Sequence, residues 1–221
     1  MTLSLHSQIS GHGRPVVFTH GWLNTGAVWA KAVAEVGDEA RSLTWDLRGH
    51  GGSENAAVGD YGRSHALADL DRMVEAAGRP AVLVGHSLGG YLSLAYAILH
   101  PEQVCGLVLV AAGPGFRNPK SLEDWNQSVK AIAAKQEPPI PPGMEEISMH
   151  VDSLVIDRLG EITVPTAVVV GERDKRFAAS ADVFAKNLSV IHHETVADAG
   201  HMVHATHPAS VAKAIRAVLA A

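Results

Sequence analysis

The chain has 221 residues, a hydrophobic fraction of 47% and a charged fraction of 19%, enough for one sizeable core with room for a small insertion. A formal net charge of -5 and a pI near 6.2 supply no basic face for a phosphate backbone, so no nucleic-acid partner is expected. No run of 18 apolar residues offers a membrane span, the opening MTLSLHSQISGHGRP lacks the pattern of a cleaved leader, and a single cysteine forbids an intrachain disulfide; a cytoplasmic protein without a membrane partner is expected.

Six short runs rich in valine, isoleucine and leucine follow along the chain: VVFTH at 16–20, SLTWDL at 42–47, AVLVGH at 81–86, LVLVAA at 107–112, TAVVVGE at 166–172 and LSVIHHE at 188–194. Several are continuously apolar over four or more residues, which predicts central strands covered on both faces. Amphipathic segments separate most of them. Leu67, Leu70 and Val74 fall at helical spacing within 60–77, as do Val211, Ile215 and Val218 near the C-terminus, where Pro208 suits a first helical turn. Cys105, just ahead of its apolar run, reads as a buried and inert thiol. The alternation predicts an α/β fold with a mostly parallel central sheet flanked by helices.

Residues 116–163 break the rhythm. They contain no convincing strand and two helical candidates, near 121–136 and 143–159, the second with Ile147, Val151 and Leu154 on one face. Between them EPPIPP at 137–142 forbids a continuous helix. The expected organisation is a core of residues 1–115 and 164–221 carrying a small helical cap insertion, 116–163, that walls a pocket and excludes water.

The segment GHSLGG at 85–90 sits where a strand-like run meets a helix-like one. Gly85-His86-Ser87-Leu88-Gly89 fits G-x-S-x-G, a tight turn that pushes the serine into an exposed, strained position, with small residues letting strand and helix approach. Neither the phosphate-loop nor the dinucleotide-loop glycine pattern is present, so no nucleotide cofactor is expected. A serine hydroxyl needs a base and an orienting acid. Among thirteen histidines, His201 lies on a loop between the last strand and the final helix, with His204 and His207 as rivals; His86 diverges from its neighbour on a tight turn and is expected to pack beneath it. The acid is expected from VVVGERD: Asp174 lies past the strand's exit, Glu172 is still aligned with the strand, and Asp198 is near in sequence only. No compact ligand group suggests a metal. The backbone N–H groups of Leu88 and Trp22 are the expected oxyanion donors. Leu23 and Asn24 border that site, and Asn24 is alternatively a cap for a helix near Gly26.

Taken together, FTHGW, WDLRGHGGS, VGHSLGGYLSL, VVVGERD and AGHMVHATHP resemble the α/β-hydrolase superfamily across essentially the whole chain. The resemblance implies a serine–aspartate–histidine order, an oxyanion N–H from Trp22, and scaffold or mouth roles for Asp46, Arg48 and His50. Haloalkane dehalogenases and epoxide hydrolases of this fold carry an aspartate where this chain has Ser87. The expected function is a serine hydrolase that cleaves a small-molecule carboxylic ester. A carbon–carbon bond hydrolase acting on a β-diketone or dienol acid stands second, with a lactonase close behind; a cofactor-free perhydrolase shares the same triad. A slow or non-enzymatic ligand receptor on the same fold is the reading from another class. The expected pocket comprises Trp22, Leu88, Phe116, Trp125, Ile147 and Val151 and favours an apolar acyl or ring substrate. Arg173, Lys175 and Arg176 beside the acid read as solvent-facing charges. No surface stripe dictates an oligomeric state.

Overall fold

Alternate residues of the apolar runs go to opposite faces of one sheet, and each face finds its own helices. In the computed structural model, which describes residues 3–221, the strands are β1 (Ser7–Ser10), β2 (Arg14–Thr19), β3 (Ala40–Trp45), β4 (Ala81–His86), β5 (Val104–Val110), β6 (Thr166–Gly171) and β7 (Val190–Val196). Their spatial order is β1-β3-β2-β4-β5-β6-β7, parallel throughout except for β1, which runs antiparallel to β3. Leu83, Leu107 and Leu109 pack toward α2 (Arg63–Ala77) and α3 (Leu88–Leu99). Val82, Val84, Val108 and Val110 pack on the other side, toward α1 (Ala30–Val36) and α8 (Pro208–Leu219). Pro208 opens α8, where its missing N–H leaves nothing unpaired.

The six apolar runs all contain strands, with β7 placed two residues later than its apolar run begins. β1 is an additional strand. It is four residues long with every side chain exposed, so it has no buried face to give a hydrophobic signal. Cys105 is half-buried rather than buried, at the rim of the α8 face, and burial still pushes its thiol up. Among the described residues, no helix is long and apolar enough to cross a membrane.

Between β5 and β6 the chain builds α4 (Pro119–Ala133), a 3-10 turn (Met144–Ser148) and the short α5 (Leu154–Arg158). The helix expected over 143–159 is therefore broken. The cause is Asn126 of α4, which is buried and pairs with the backbone of His150 from both sides. Its Oδ1 accepts from the His150 N–H at 2.9 Å, and its Nδ2 donates to the His150 carbonyl at 2.8 Å. Those are the groups a helix would have used. The helix α6 (Ala178–Asn187) follows β6, and the short α7 (Val203–Thr206) follows β7.

The loop after β3 is held by buried charge. Asp46 accepts from the amides of Gly26 (2.6 Å) and Gly52 (2.9 Å) and from His6 Nδ1 (3.0 Å). Arg48 pairs with Asp69 at 2.7 Å, both side chains buried, and donates to the carbonyls of Asp60 and His65. Burial alone pushes the Asp46 carboxyl up, but the amides of Gly52 and Gly26, with His20 and His6, outweigh it and hold the group below its ordinary value. A depressed carboxylate contributes stability that is complete above its unfolded pKa and is lost as pH falls through the folded one. Asp46→Asn is therefore expected to lower stability at pH 7 by about 1.5–3 kcal/mol, with the deficit closing only below about pH 4. Urea unfolding across that pH series measures it, and a deficit that persists at low pH would assign the effect to shape instead of charge.

Candidate active site

β4 runs down the middle of the sheet and delivers the chain directly into α3, so the turn between them lies at the C-terminal edge where parallel sheets bind ligands. Ser87 occupies the turn at φ 51 and ψ -114, a conformation uncommon for a residue with a side chain. Two close approaches impose it. A Cβ on Gly85 would overlap the backbone of Gly89, and one on Gly89 would overlap the carbonyl of Thr19. The Ser87 N–H donates to Val110 at 3.0 Å and its carbonyl accepts from Tyr91 at 3.1 Å, which fixes the turn at both ends.

Across the same edge, the β6 exit turns sharply: the Asp174 amide donates to Gly171, and its carbonyl accepts from Phe177 and Ala178. Asp174 is buried and its Oδ2 lies 2.7 Å from Nδ1 of His201, which is half-exposed. Phe177 stacks on the His201 ring with centroids 5.0 Å apart. Ser87, Asp174 and His201 line one cavity of about 360 Å³ together with Trp22. The rivals lie elsewhere. Glu172 is exposed and accepts the Asp198 amide, Asp198 pairs with Arg173 in solvent, and His207 bonds Thr206. His204 is fully buried.

Beneath His201 sits a stack of buried rings. His86 donates from Nε2 to the His201 carbonyl at 3.0 Å, and its ring lies 4.6 Å from that of His201 and 4.1 Å from that of His204. His204 in turn packs on Trp29 at 4.6 Å. Burial is the main cause holding His86 well below the ordinary imidazole value, with His204 and His201 adding to it; His204 is lowered to about 4 by burial and then by His201. A second histidine pair anchors the Trp22 loop. The Leu47 amide donates to Nε2 of His20 (2.9 Å), so Nδ1–H of His20 donates to Gly21 (2.7 Å). The Leu23 amide likewise donates to Nε2 of His50 at 3.2 Å, leaving Nδ1–H for the Arg48 carbonyl at 3.0 Å. Burial, then His50, lowers His20 to about 3. Asn24 does not cap the turn at Gly26, because Asp46 already holds that amide; it lines the cavity beside Trp22.

A second cavity, about 200 Å³, also opens on Ser87. Leu88, Phe116, Trp125 and Ile147 line it as expected. Val151 does not. It is 71% exposed, because the break after Ser148 turns the chain outward where a helix would have kept residues 147 and 151 on one face. Arg176 lies 4.5 Å over the Trp125 ring and borders both cavities, whereas Arg173 is an exposed ion pair. Sequence reasoning passed over His150, Tyr91 and Phe177, which line the 200 Å³ cavity; no spacing rule links them, since they come from three separate segments. Among the described residues, no group of three or more His, Cys, Asp or Glu is arranged to hold a metal ion.

The sequence pattern of the alpha/beta hydrolase fold family matches residues 14–137, more than half of the chain. The chain belongs to that family. A pimeloyl-[acyl-carrier protein] methyl ester esterase from Vibrio cholerae is 38% identical over 120 residues, covering 52% of this chain and 44% of the relative. Its counterpart from Aliivibrio fischeri is 37% identical over 140 residues, covering 62% and 49%. The chain thus spans about half the length of the curated relatives it matches. A thermophilic esterase from Thermogutta terrifontis has the same fold, with a TM-score of 0.82 at 24% identity over 97% of this chain and 92% of that one.

The buried histidines of this hydrolase fold give its stability a pH dependence of definite sign. His20, His86 and His204 resist protonation in the fold, while in the unfolded chain they take up protons near pH 6.5. The unfolded state therefore binds more protons as pH falls. Stability is full above about pH 6.5 and declines from there toward pH 4, by up to about 1.4 kcal/mol per pH unit for each histidine. His204→Phe keeps a ring against Trp29 and His86 and removes one titrating group. Thermal melts from pH 8 to pH 4.5 are expected to show a shallower decline in that variant; an unchanged slope would exclude His204 from the effect.

Proposed function

We propose that this chain is a serine hydrolase that cleaves a small-molecule carboxylic ester through an acyl-enzyme, with Ser87 as nucleophile, His201 as base and Asp174 as orienting acid. One observation carries the reading. A serine on a strained strand-to-helix turn shares a cavity with a histidine whose Nδ1 lies 2.7 Å from a buried aspartate.

Asp174 accepts the Nδ1–H of His201, which leaves Nε2 free as the base. His201 takes the Ser87 proton as the hydroxyl oxygen attacks the ester carbonyl. The amides of Trp22 and Leu88, which have no acceptor among the described residues, hold the resulting oxyanion. The Leu88 amide opens α3, so the positive end of that helix adds to the stabilisation. His201 then protonates the leaving alcohol, and a water activated by the same imidazole releases the acid. Because the histidine serves the leaving group, the cavity bounded by His201 and Trp22 is the alcohol side and the 200 Å³ cavity is the acyl side. Residues 116–163 act as the cap, supplying Phe116, Trp125 and Ile147 to the acyl wall. The methyl ester esterase relatives make methyl esters, with methanol as the leaving alcohol, the first substrates to try. Lactone opening and carbon–carbon cleavage use the same three side chains, so a panel of short methyl esters, lactones and β-diketones ranks them.

A fluorophosphonate is expected to add once, at Ser87, by intact mass and peptide mapping, with no adduct on Ser87→Ala and a diminished one on His201→Ala. Turnover of the best ester is expected to fall by about 10⁶-fold in Ser87→Ala or His201→Ala and by about 10⁴-fold in Asp174→Ala. A folded protein that neither labels nor turns over any ester would overturn the reading and direct the search to a ligand held without chemistry.

A further inference from the structure

The acyl cavity has an aromatic and aliphatic wall with one buried imidazole in it. His150 is 7% exposed and lies among Tyr91, Phe116 and Trp125, whose ring centroids are 4.4, 5.2 and 5.6 Å from its own. The Asn126 clamp on its backbone fixes where it stands. Its Nδ1 is buried and has no hydrogen-bond partner among the described residues. Nε2, the other ring nitrogen, has no hydrogen bond among the described residues yet is not fully buried as Nδ1 is, so it is the nitrogen with surface left to meet the cavity that His150 lines. A buried imidazole with both nitrogens unpaired among the described residues costs free energy, and a group in the cavity can offset the part of that cost that falls on Nε2. Phenylalanine would fill the same space without that cost.

Charge decides what kind of group the imidazole meets. Burial, followed by the nearby Arg63, lowers His150 to about 4 against an opposing effect of Asp152, so the ring is neutral at ordinary pH. Arg63 is itself occupied, pairing through two nitrogens with Asp152 at 2.6 Å and donating to the Tyr91 hydroxyl at 2.9 Å. An ammonium brought to His150 would lose its water with no anion on the cavity wall to replace it, whereas the cation bordering this cavity, Arg176, sits over the Trp125 ring. A hydroxyl suits the site, because it donates or accepts and so matches either tautomer of the ring. The cavity of about 200 Å³ exceeds the roughly 150 Å³ that encloses a benzene ring, and its walls are aromatic.

We infer that His150 is a specificity residue that hydrogen-bonds an uncharged hydroxyl on a ring-shaped acyl group, making esters of hydroxylated aromatic acids the favoured substrate class. This rests on the ester-hydrolase reading for the reaction but not for the binding, and the two are separable by experiment. Ser87→Ala protein is titrated calorimetrically with the methyl esters of 2-, 3- and 4-hydroxyphenylacetic acid and with the matching methylphenylacetates, in which a methyl replaces the hydroxyl. At least one hydroxylated ester is expected to bind about tenfold tighter than its isostere. Adding His150→Phe should erase that preference, and His150→Gln should retain part of it; His150→Leu is a second apolar replacement should phenylalanine disturb packing. A wild-type preference of the same size in the apolar variants, or no preference for any isomer, overturns the inference. Failure of Ser87 to label with fluorophosphonate would instead sink the hydrolase reading, because binding to the Ser87→Ala protein requires no turnover.

Discussion

The close contact between β4 and the start of α3 is the constraint on which the rest of the site depends. Gly85 and Gly89 bring the two elements together more tightly than any side chain would permit. The turn between them has no room to relax into ordinary backbone angles. Holding Ser87 at φ 51 costs on the order of 1–3 kcal/mol, and the surrounding structure must over-determine it for the strain to persist. It does so through a central strand paired on both sides and through a helix buried on almost every side chain. The same contact sets where Leu88 presents its amide and where the Thr19–Trp22 segment passes. Strain, the placing of the proposed oxyanion donors and cavity position are thus one consequence of two glycines.

The histidines explain how a loop at the sheet's end is kept in register with that turn. His201 is not secured by Asp174 alone; its carbonyl is bonded from below by His86, the residue adjacent to Ser87. The proposed nucleophile and base are therefore tied to each other through the core. The neutrality of the rings underneath matters for the chemistry. A charged imidazole 4.6 Å from His201 would oppose the imidazolium that the proposed mechanism must form there. Burial of His86 and His204 keeps that position uncharged, at the cost of a His86 Nδ1 and both His204 nitrogens without partners among the described residues.

Much of this was readable in the sequence because it rests on local, periodic signals. Buried parallel strands are continuous apolar runs, and the elbow needs glycines on either side of one serine within five residues. The candidates His201 and Asp174 follow strand exits, and the structure brings those two side chains to 2.7 Å of each other. What escaped was set by contacts between distant segments. β1 pairs only through its backbone, so nothing in SQIS announces it. The helical face of Ile147 and Val151 was spoiled by a side chain on another helix, Asn126, competing for backbone at His150. Asn24 lost its capping role to Asp46, 22 positions away in the chain. His150 and Phe177 become cavity walls only once the segment between β5 and β6 has folded back over the sheet.

That segment also divides what the fold supplies from what this chain adds. The family's sequence pattern ends at residue 137, whereas the structural likeness to the Thermogutta terrifontis esterase extends over 97% of the chain. The elbow and the Trp22 loop lie inside the matched sequence. Asp174, His201, Ile147 and His150 lie outside it, so their assignment depends on geometry. For Asp174 and His201 the geometry is over-determined, by the 2.7 Å contact, the Phe177 stack and the His86 bond. For the acyl wall it depends on a few long-range contacts, chiefly the Asn126 clamp. Part of the wall is bound to that geometry, since Tyr91 bonds the Ser87 carbonyl and Phe177 stacks on His201, while the side chains from residues 116–163 share none of the bonds that position Ser87 and His201. In the proposed hydrolase, selectivity would therefore be changed most freely at Phe116, Trp125, Ile147 and His150, which residues 116–163 bring to the cavity.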